Sequence, residues 1–347
     1  MLSTKSAEFK NKNYCTFQIA EQIEKVLKFN GLSSIVTVVN TMSLCLKLPP
    51  QLKQRNSTLC ISNKGGGKST LLVHILAKSN PKFFTILPKK MFESELIDQD
   101  KSYFHNKVLV HDDIISALGG TNKKQREQLV SFFTLLLSDG HYSRQGKILD
   151  GVNCMAHFGI AMSSFVKHRR DLMDSTFLDR FATFRTRLNH QQKMEVLQHR
   201  DFMLDNNVLL PKIKLPLTKS KKEVKVVFNE QDKNKLRQLA MELDLYNVLS
   251  YTRAYNYIRI FIMSNALLNN RTVADKYDLE LYEVVHHYHL ESSYEMTKTH
   301  QIIATIRSNT NLKRKEICEL VSVSERTFYR IMKKLRVTHP ELCHFVS

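Results

Sequence analysis

The chain has 347 residues, of which 42% are hydrophobic, a composition that fits two or three compact units and excludes a disordered protein. Lys and Arg number 52 against 33 Asp and Glu, and the formal net charge of +19 favours a polyanionic partner such as nucleic acid. There is no apolar run of about 18 residues to span a membrane and no apolar core of a signal peptide near the first residue, so we predict a cytoplasmic, intracellular location.

The predicted elements begin with a helical segment, residues 1–48, in which Ile19, Ile23 and Leu27 recur at helical spacing. From residue 49 to 210, β-prone runs alternate with helical runs, which is typical of an α/β protein whose parallel sheet lies between helices. The predicted strands are 58–62, 83–87, 107–113 and 157–164, and the main predicted helices are 70–79 and 121–140, the second of which is predicted to stop at Gly140.

Three further segments follow the α/β region. Residues 211–229 contain two prolines and six lysines, which predicts a basic, exposed linker. Residues 230–295 are predicted to be all helical, with leucines on one stripe of the first helix. Residues 296–347 are predicted to form a separate unit of three short helices.

A glycine-rich loop follows the first predicted strand, in the stretch ISNKGGGKST. Backbone N–H groups between a buried strand and a helix can cradle phosphates, and Lys68 would reach the β- and γ-phosphates of a nucleotide. The Ser69 hydroxyl would be a ligand of Mg²⁺. Ser62 stands where the usual pattern has its first glycine, at a cost of about 1 kcal/mol if positive φ is required there. The predicted ATP-binding residues are Ser62, Asn63, Lys64, Gly65, Gly66, Gly67, Lys68, Ser69 and Thr70.

Two acids end the third predicted strand, VLVHDD. Asp112 is predicted to hold Mg²⁺ together with Ser69, and Asp113 to polarise the attacking water. The Asp113 side chain is shorter than the glutamate common at this place, which favours slow hydrolysis. A solvated surface pair of aspartates is the alternative, and it fits poorly after an apolar strand.

The segment STFLDRF, residues 175–181, resembles the arginine-bearing motif of AAA+ ATPases, and the order of motifs resembles the branch that includes the minichromosome maintenance (MCM) helicases. The resemblance implies that Arg180 is an arginine finger that reaches a neighbouring subunit, so that the chain forms a homo-oligomeric ring. An ion pair between Arg180 and Asp179 is the alternative, structural interpretation.

The resemblance also implies three further assignments. Ser163 or Ser164 would be the polar sensor of the γ-phosphate, where Asn or Thr is common, and Arg253 would be a second sensor at the start of a lid helix. Residues 49–210 would then be the nucleotide-binding core and 230–295 the helical lid.

Two basic elements are predicted to contact DNA. The turn-rich stretch 139–154 is interpreted as a β-hairpin or loop. In the MCM-like branch a hairpin at this place touches DNA, and Arg144 and Lys147 could make that contact here. An ordinary solvated loop remains the alternative.

In the last unit a short V-S-V-S turn joins two helices, as in a helix-turn-helix or winged-helix domain, and Ser322 with Glu325 is predicted to cap the final helix. Its basic face, with a plain solvated face as the alternative, carries Arg326, Tyr329, Arg330, Lys333 and Lys334.

The sequence thus predicts an ATP- and Mg²⁺-dependent AAA+ ATPase that binds DNA, of helicase or replication-initiation type. Two other classes stay open: an ATP-dependent switch that recruits a recombinase or transposase, and a protein remodeller. In a prokaryote the protein is expected to be associated with the nucleoid.

Overall fold

A computed structural model of the chain describes most of it. The described residues are 5–28, 31–63, 65–119, 122–168, 175–186, 190–206, 210, 212–218, 221–292, 298–299, 301–303, 305–306 and 312–338.

A five-stranded parallel sheet forms the centre of the α/β region. Its strands are β1 (Thr58–Ser62), β2 (Phe84–Ile86), β3 (Lys107–His111), β6 (Cys154–Ala161) and β7 (Ala182–Thr186), in the spatial order β2-β3-β6-β1-β7. Every residue of β1 and β6 is buried, as expected for inner strands of a parallel sheet that is covered on both faces. The predicted α/β core is therefore confirmed, whereas β7 was not predicted and β6 lies three residues earlier than the sequence indicated.

Helices cover both faces of this sheet. They are α4 (Thr70–Ala77), α5 (Glu93–Ile97), α6 (Ile114–Gly119), α7 (Lys123–Asp139), α8 (Met162–His168), α9 (Ser175–Leu178) and α10 (His190–Asp205). Side chains of β1 alternate between two hydrophobic cores: Leu59 and Ile61 pack with the phenylalanines of α7, and Cys60 packs with α4. Helix α7 ends at Gly140, which adopts φ 66° and confirms the predicted glycine stop.

The amino-terminal helices pack against the carboxyl-proximal ones. Helices α1 (Ala7–Lys12), α2 (Tyr14–Leu27) and α3 (Leu32–Thr41) share one hydrophobic core with α11 (Glu230–Leu245), α12 (Tyr251–Leu268) and α13 (Lys276–Leu290). Residues 1–48 and 230–295, which the sequence separates by almost 200 positions, therefore stabilise each other.

The segment predicted to be a basic, exposed linker, 211–229, exposes its described lysines and buries three of its apolar side chains. The side chains of Ile213, Leu215 and Val224 are buried, while Lys212 and Lys214 between them face solvent. Strand β8 (Lys225–Val226) pairs with β9 (Val273–Ala274). From 212 to 215, lysine alternates with an apolar residue, which is the pattern of an extended segment with one buried face. The high lysine content of the segment led to its interpretation as a linker.

A buried polar network joins the sheet to these helices. The Asn40 amide donates to the Tyr257 hydroxyl over 2.9 Å, and that hydroxyl lies 3.2 Å from His289 Nε2. His289 Nδ1 lies 2.9 Å from the Thr183 carbonyl on β7, which can only accept, so Nδ1 carries the ring proton and Nε2 accepts from Tyr257. On β6, the fully buried His157 lies between the hydroxyls of Thr41 and Thr58.

The two histidines predict a loss of stability in acid. Burial lowers the pKa of His157 and of His289 from 6.5 to about 3. The unfolded chain therefore binds these protons more tightly, so the stabilisation is complete above pH 6.5 and falls as the pH drops from 6.5 towards 3. Each histidine contributes about 1.4 kcal/mol per pH unit in that window. Urea unfolding between pH 7.5 and 4.5 should show a slope about 1.4 kcal/mol per unit smaller in His157→Gln than in the unchanged chain. The exposed His74 supplies the control: its ring stays in solvent in the folded chain, so His74→Gln should keep the slope, and an unchanged slope in His157→Gln would contradict the prediction.

The carboxyl-terminal helices form a third core of their own. Helices α14 (Arg314–Val321) and α15 (Glu325–Thr338) pack through Ile317, Phe328 and Ile331 on helical residues between 301 and 306. The predicted cap is displaced, because Ser322 adopts φ 52° and ends α14, while the Ser324 hydroxyl accepts from the Thr327 amide over 3.2 Å at the start of α15.

Candidate nucleotide-binding site

The glycine-rich loop lies between the carboxyl end of β1 and the first turn of α4. Gly65 and Gly67 both adopt φ 77°, and the Gly66 amide donates to the Asn63 carbonyl over 3.0 Å. Alternation of left-handed glycines turns successive N–H groups to one side, which produces a concave site for an anion. Lys64 lies outside the described residues; the other eight residues of the predicted set are in this loop and the helix start.

Ser62 is accommodated without backbone strain. Positive φ was the condition for a cost at this position, and Ser62 does not adopt it. Its hydroxyl donates to the Asn63 carbonyl over 3.1 Å. A Cβ atom placed on Gly66 would lie 2.8 Å from both Cβ and Oγ of Ser62, so the serine fills space that the middle glycine leaves open. Ser62 therefore fits this loop without positive φ, and its side chain occupies the space that a side chain at position 66 would need.

The hydroxyl of Ser69 and the carboxylate of Asp112 meet at the carboxyl edge of the sheet. Ser69 Oγ donates to Asp112 Oδ2 over 2.8 Å, although β6 separates the strands from which these two residues extend. Gly159 on β6 permits this approach: a Cβ atom there would lie 2.3 Å from the Asp112 carbonyl oxygen. Sequence reasoning missed Gly159, because the reason for a glycine in this strand lies in another strand.

Asp113 is oriented by its neighbours on both sides. The Ser116 hydroxyl donates to Asp113 Oδ2 over 2.8 Å, and the Asp113 amide donates to His111 Nδ1 over 3.1 Å. Burial lowers the pKa of His111, which keeps its ring neutral and able to accept that hydrogen bond. The other carboxylate oxygen of Asp113 is buried and accepts no hydrogen bond from the described residues, so it is available to a water or ligand.

The two predicted sensor serines extend from the same edge of the sheet. Ser163 and Ser164 lie in the first turn of α8, directly after β6, and not at the end of a strand as predicted. Since Ser62 of β1 pairs with Ala161 of β6, the serines follow the strand that lies beside the loop.

The two predicted catalytic arginines lie at the opposite edge. Arg180 immediately precedes β7, and together with Arg253 it lines a cleft near Asn56 and Ser57, which precede β1. Parallel strands begin at the same edge, so the length of β1, about 13 Å for five residues, separates this cleft from the loop of the same chain. The structure therefore does not bring Arg253 to its own loop, where a lid sensor of the same subunit would act.

Arg180 and Arg253 have different partners. The Arg180 guanidinium donates to the carbonyls of Thr134 and Thr176, and Arg253 Nε lies 2.9 Å from Asp179 Oδ2. The Ser250 amide donates to the other Asp179 oxygen over 2.9 Å. The alternative ion pair of Arg180 with Asp179 is thus replaced by one between Asp179 and Arg253, which ties α12 to the turn before β7.

The predicted hairpin is present, and its basic side chains face acids of the same chain. Strand β4 (Tyr142–Arg144) pairs with β5 (Lys147–Leu149) across the turn Gln145-Gly146, whose residues both adopt positive φ. Arg144 forms an ion pair with the buried Glu93 of α5, and Lys147 forms one with Asp98. In this conformation the two cations bind α5 and its following residue, so contact with DNA would require them to exchange partners.

The basic face of α15 is only partly turned to solvent. Arg326, Tyr329, Arg330 and Lys333 are exposed. Lys334 is not, because its ammonium donates to the Leu245 carbonyl at the end of α11 over 2.5 Å. The cation therefore lies at a helix carboxyl terminus, where it is stabilised by the helix dipole.

Solved structures similar to this chain include an archaeal one. The crystal structure of a full-length MCM homolog from Methanopyrus kandleri is similar to this chain with a TM-score of 0.49 and 12% sequence identity. The match covers 83% of this chain and 62% of the archaeal one, which is less than two thirds of that protein. No protein-family model matches the sequence, and no curated protein matches it.

Within the ranges given above, no three His, Cys, Asp or Glu side chains gather as metal ligands. Among the same residues, none of the helices combines the length and the apolar character needed to cross a membrane.

Proposed function

We propose that the protein is an ATPase of AAA+ type that binds Mg²⁺ and ATP at the loop after β1, assembles into a homo-oligomeric ring and acts on DNA, as a helicase or replication-initiation factor. The observation that supports it most is the 2.8 Å hydrogen bond between Ser69 Oγ and Asp112 Oδ2, directly beside a loop with two left-handed glycines. A hydroxyl and a carboxylate at this junction suit Mg²⁺, which takes few protein ligands and completes its octahedron with phosphate oxygens and waters.

The loop and the edge of the sheet would share the binding of ATP and Mg²⁺. Gly65, Gly66 and Gly67 would present their amides to the phosphates, and Lys68 would place its ammonium beside them. Ser69 and Asp112 would hold Mg²⁺, whose charge offsets that of the phosphate oxygens.

Hydrolysis would depend on Asp113 and on a second subunit. The buried Asp113 oxygen that accepts no hydrogen bond from the described residues would accept a proton from the attacking water. The Ser116 hydroxyl would orient the carboxylate, and His111 would hold the Asp113 backbone amide. Arg180 lies too far from its own loop to act there, so it would stabilise the transferring phosphoryl group in a neighbouring subunit. The site would then be complete only between two copies of the chain.

The last helices and the net charge support the DNA part of the proposal. The chain carries a formal charge of +19, and α15 exposes Arg326, Tyr329, Arg330 and Lys333 after a short turn from α14. We assign these helices as a helix-turn-helix unit and α11–α13 as the lid. Lys334 would join the DNA face only when α15 separates from the end of α11.

A second candidate is an ATP-dependent assembly switch that recruits a DNA recombinase. It is favoured by the short Asp113 side chain, one oxygen of which is already bound by Ser116 over 2.8 Å, since such a base would support slow turnover. Tight ATP binding with little hydrolysis would fit this function.

The rate of ATP hydrolysis with and without DNA separates these two candidates. For a motor we expect turnover in the range of about 1 to 100 per second, raised severalfold or more by DNA. Release of phosphate from the purified chain is measured with no DNA, with single-stranded DNA and with duplex DNA. Turnover well below this range that DNA leaves unchanged would favour the switch, and the absence of nucleotide binding would overturn both.

A further inference from the structure

Positive side chains come together at the amino edge of the sheet, away from the nucleotide loop and from α15. Lys222 and Lys47 are backbone neighbours there: the Lys47 amide donates to the Lys222 carbonyl over 2.8 Å, and the Lys222 amide donates to the Cys45 carbonyl over 2.6 Å. Lys221 precedes Lys222, and all three lysines are exposed. Lys221 and Lys222, from the segment predicted to be a linker, thus lie on the same surface as Lys47 of the amino-terminal region.

A line of hydrogen bonds connects this surface to Lys101. Arg55 donates to the carbonyls of Ser43 and Leu46 and, through Nε, to Asn153 Oδ1 over 2.8 Å. The Asn153 amide in turn donates to His105 Nδ1 over 3.3 Å, and the His105 amide donates to the Lys101 carbonyl over 2.9 Å. We call this set the sheet-edge basic patch; its cations are Lys47, Arg55, Lys101, Lys221 and Lys222, and the ring of His105 lies among them.

The charges of the sheet-edge basic patch repel one another. Partial burial, and then the charge of Arg55, lower the pKa of Lys221. The pKa of His105 is also lowered, first by burial and then by Lys101, with a smaller contribution from Lys221. Asp150, which lies near Lys101, and Glu223, which follows Lys222, are acids at the rim. The repulsion between like charges held together in this way falls when a polyanion binds, because the polyanion neutralises several of them at once.

We propose that the sheet-edge basic patch binds the sugar–phosphate backbone of duplex DNA, as a second contact separate from α15. This inference rests on the DNA association in the proposed function and extends it to a defined surface. Single-strand binders place aromatic rings between their cations for base stacking. Of the aromatic residues near the patch members in the described chain, Phe104 is buried, and the half-buried ring of Tyr103 packs edge-on against it with centroids 5.0 Å apart. Cations without a stacking surface fit the duplex backbone, which is read by charge and position.

The test is charge reversal at the two lysines whose backbones bridge the amino-terminal region and the 212–228 segment. In the full chain, Lys47→Glu with Lys222→Glu should weaken binding to a fluorescein-labelled duplex of arbitrary sequence about tenfold or more near 100 mM salt. The slope of log K against log salt should become less negative by about 2, since each phosphate contact contributes about 0.9. The milder Lys47→Gln with Lys222→Gln should give the same change with a smaller amplitude.

Two matched variants separate the patch from net charge and from α15. Lys25→Glu with Lys193→Glu makes the same change of net charge at exposed lysines on α2 and α10, and should leave duplex affinity within about twofold. Arg326→Ala with Arg330→Ala tests α15, and its loss should add to that of the patch variant, because separate contacts act independently. All variants are measured without ATP, and their thermal unfolding is recorded.

The outcomes distinguish this proposal from the proposed function. Duplex binding that falls equally in the patch variant and in the control pair, or in neither, would overturn the patch and leave the ATPase and α15 in place. Loss of single-strand binding alone would refute the assignment to duplex DNA. If the unchanged chain binds no DNA, the patch and the DNA part of the proposed function fall together. If it binds DNA through the patch but never binds ATP, only the nucleotide site is refuted.

Discussion

Replacing Lys68 by alanine should lower the affinity for ATP about 100-fold or more. Lys68 directly follows Gly67, two residues before α4 begins, where its ammonium would meet the phosphates. Charge-assisted hydrogen bonds are each worth about 1.5–3 kcal/mol, and Lys68 would make them to two phosphate groups. Binding of a fluorescent ATP analogue in the presence of Mg²⁺ measures this loss directly and requires no turnover.

The same helix supplies the control for this measurement. Lys78 is exposed and directly follows the last residue of α4, a π-helix, at the end opposite the loop. Lys78→Ala should bind the analogue as the unchanged chain does. Equal affinity in Lys68→Ala and the unchanged chain would refute the assignment of the loop to phosphates, whatever the DNA-binding results show.

Local sequence patterns predicted the parts of this site that local physics determines. A buried strand, three glycines and a helix in direct succession leave few conformations, and the loop has the expected one around Gly65 and Gly67. Asp112 could be placed as well, because the carboxyl ends of parallel strands meet at one edge of a sheet. Gly140 ended its helix as predicted for the same reason: the left-handed conformation required there depends on its own backbone.

The features that the sequence did not predict depend on distant partners. The segment 211–229 reads as a linker because lysine dominates its composition, yet Ile213 and Leu215 are buried against a core built partly from the first 46 residues. The Asp179 carboxylate forms its ion pair with Arg253, 74 positions along the chain, and not with its neighbour Arg180. The cap at Ser324 was misplaced by two residues, because Ser322 was expected to start a helix and instead ends one. Such outcomes follow from tertiary packing, which a single sequence does not display.

Arg180→Ala should retain ATP binding and lose about 1,000-fold or more of the turnover, the usual effect of removing an arginine that stabilises a transferring phosphoryl group. Since Arg180 lies at the sheet edge opposite its own loop, the missing guanidinium would be the one supplied to a neighbouring site. The competing explanation is structural, because Arg180 also donates to the carbonyls of Thr134 and Thr176. Loss of those bonds would cost about 1–3 kcal/mol of folding free energy and could reduce turnover indirectly.

Mixing two inactive variants decides between these explanations. A subunit with Arg180→Ala keeps its own Lys68, and a subunit with Lys68→Ala keeps its Arg180. When the two alternate in an assembly, sites with an intact loop receive an intact arginine from the neighbour, so turnover should reappear at up to about a quarter of that of the unchanged chain in a random equimolar mixture. A structural defect in Arg180→Ala subunits stays in every such site and gives no recovery. Lack of recovery in a mixture that assembles normally would thus remove the shared active site from the proposal, while leaving the ATP-binding loop and its Ser69–Asp112 pair unaffected.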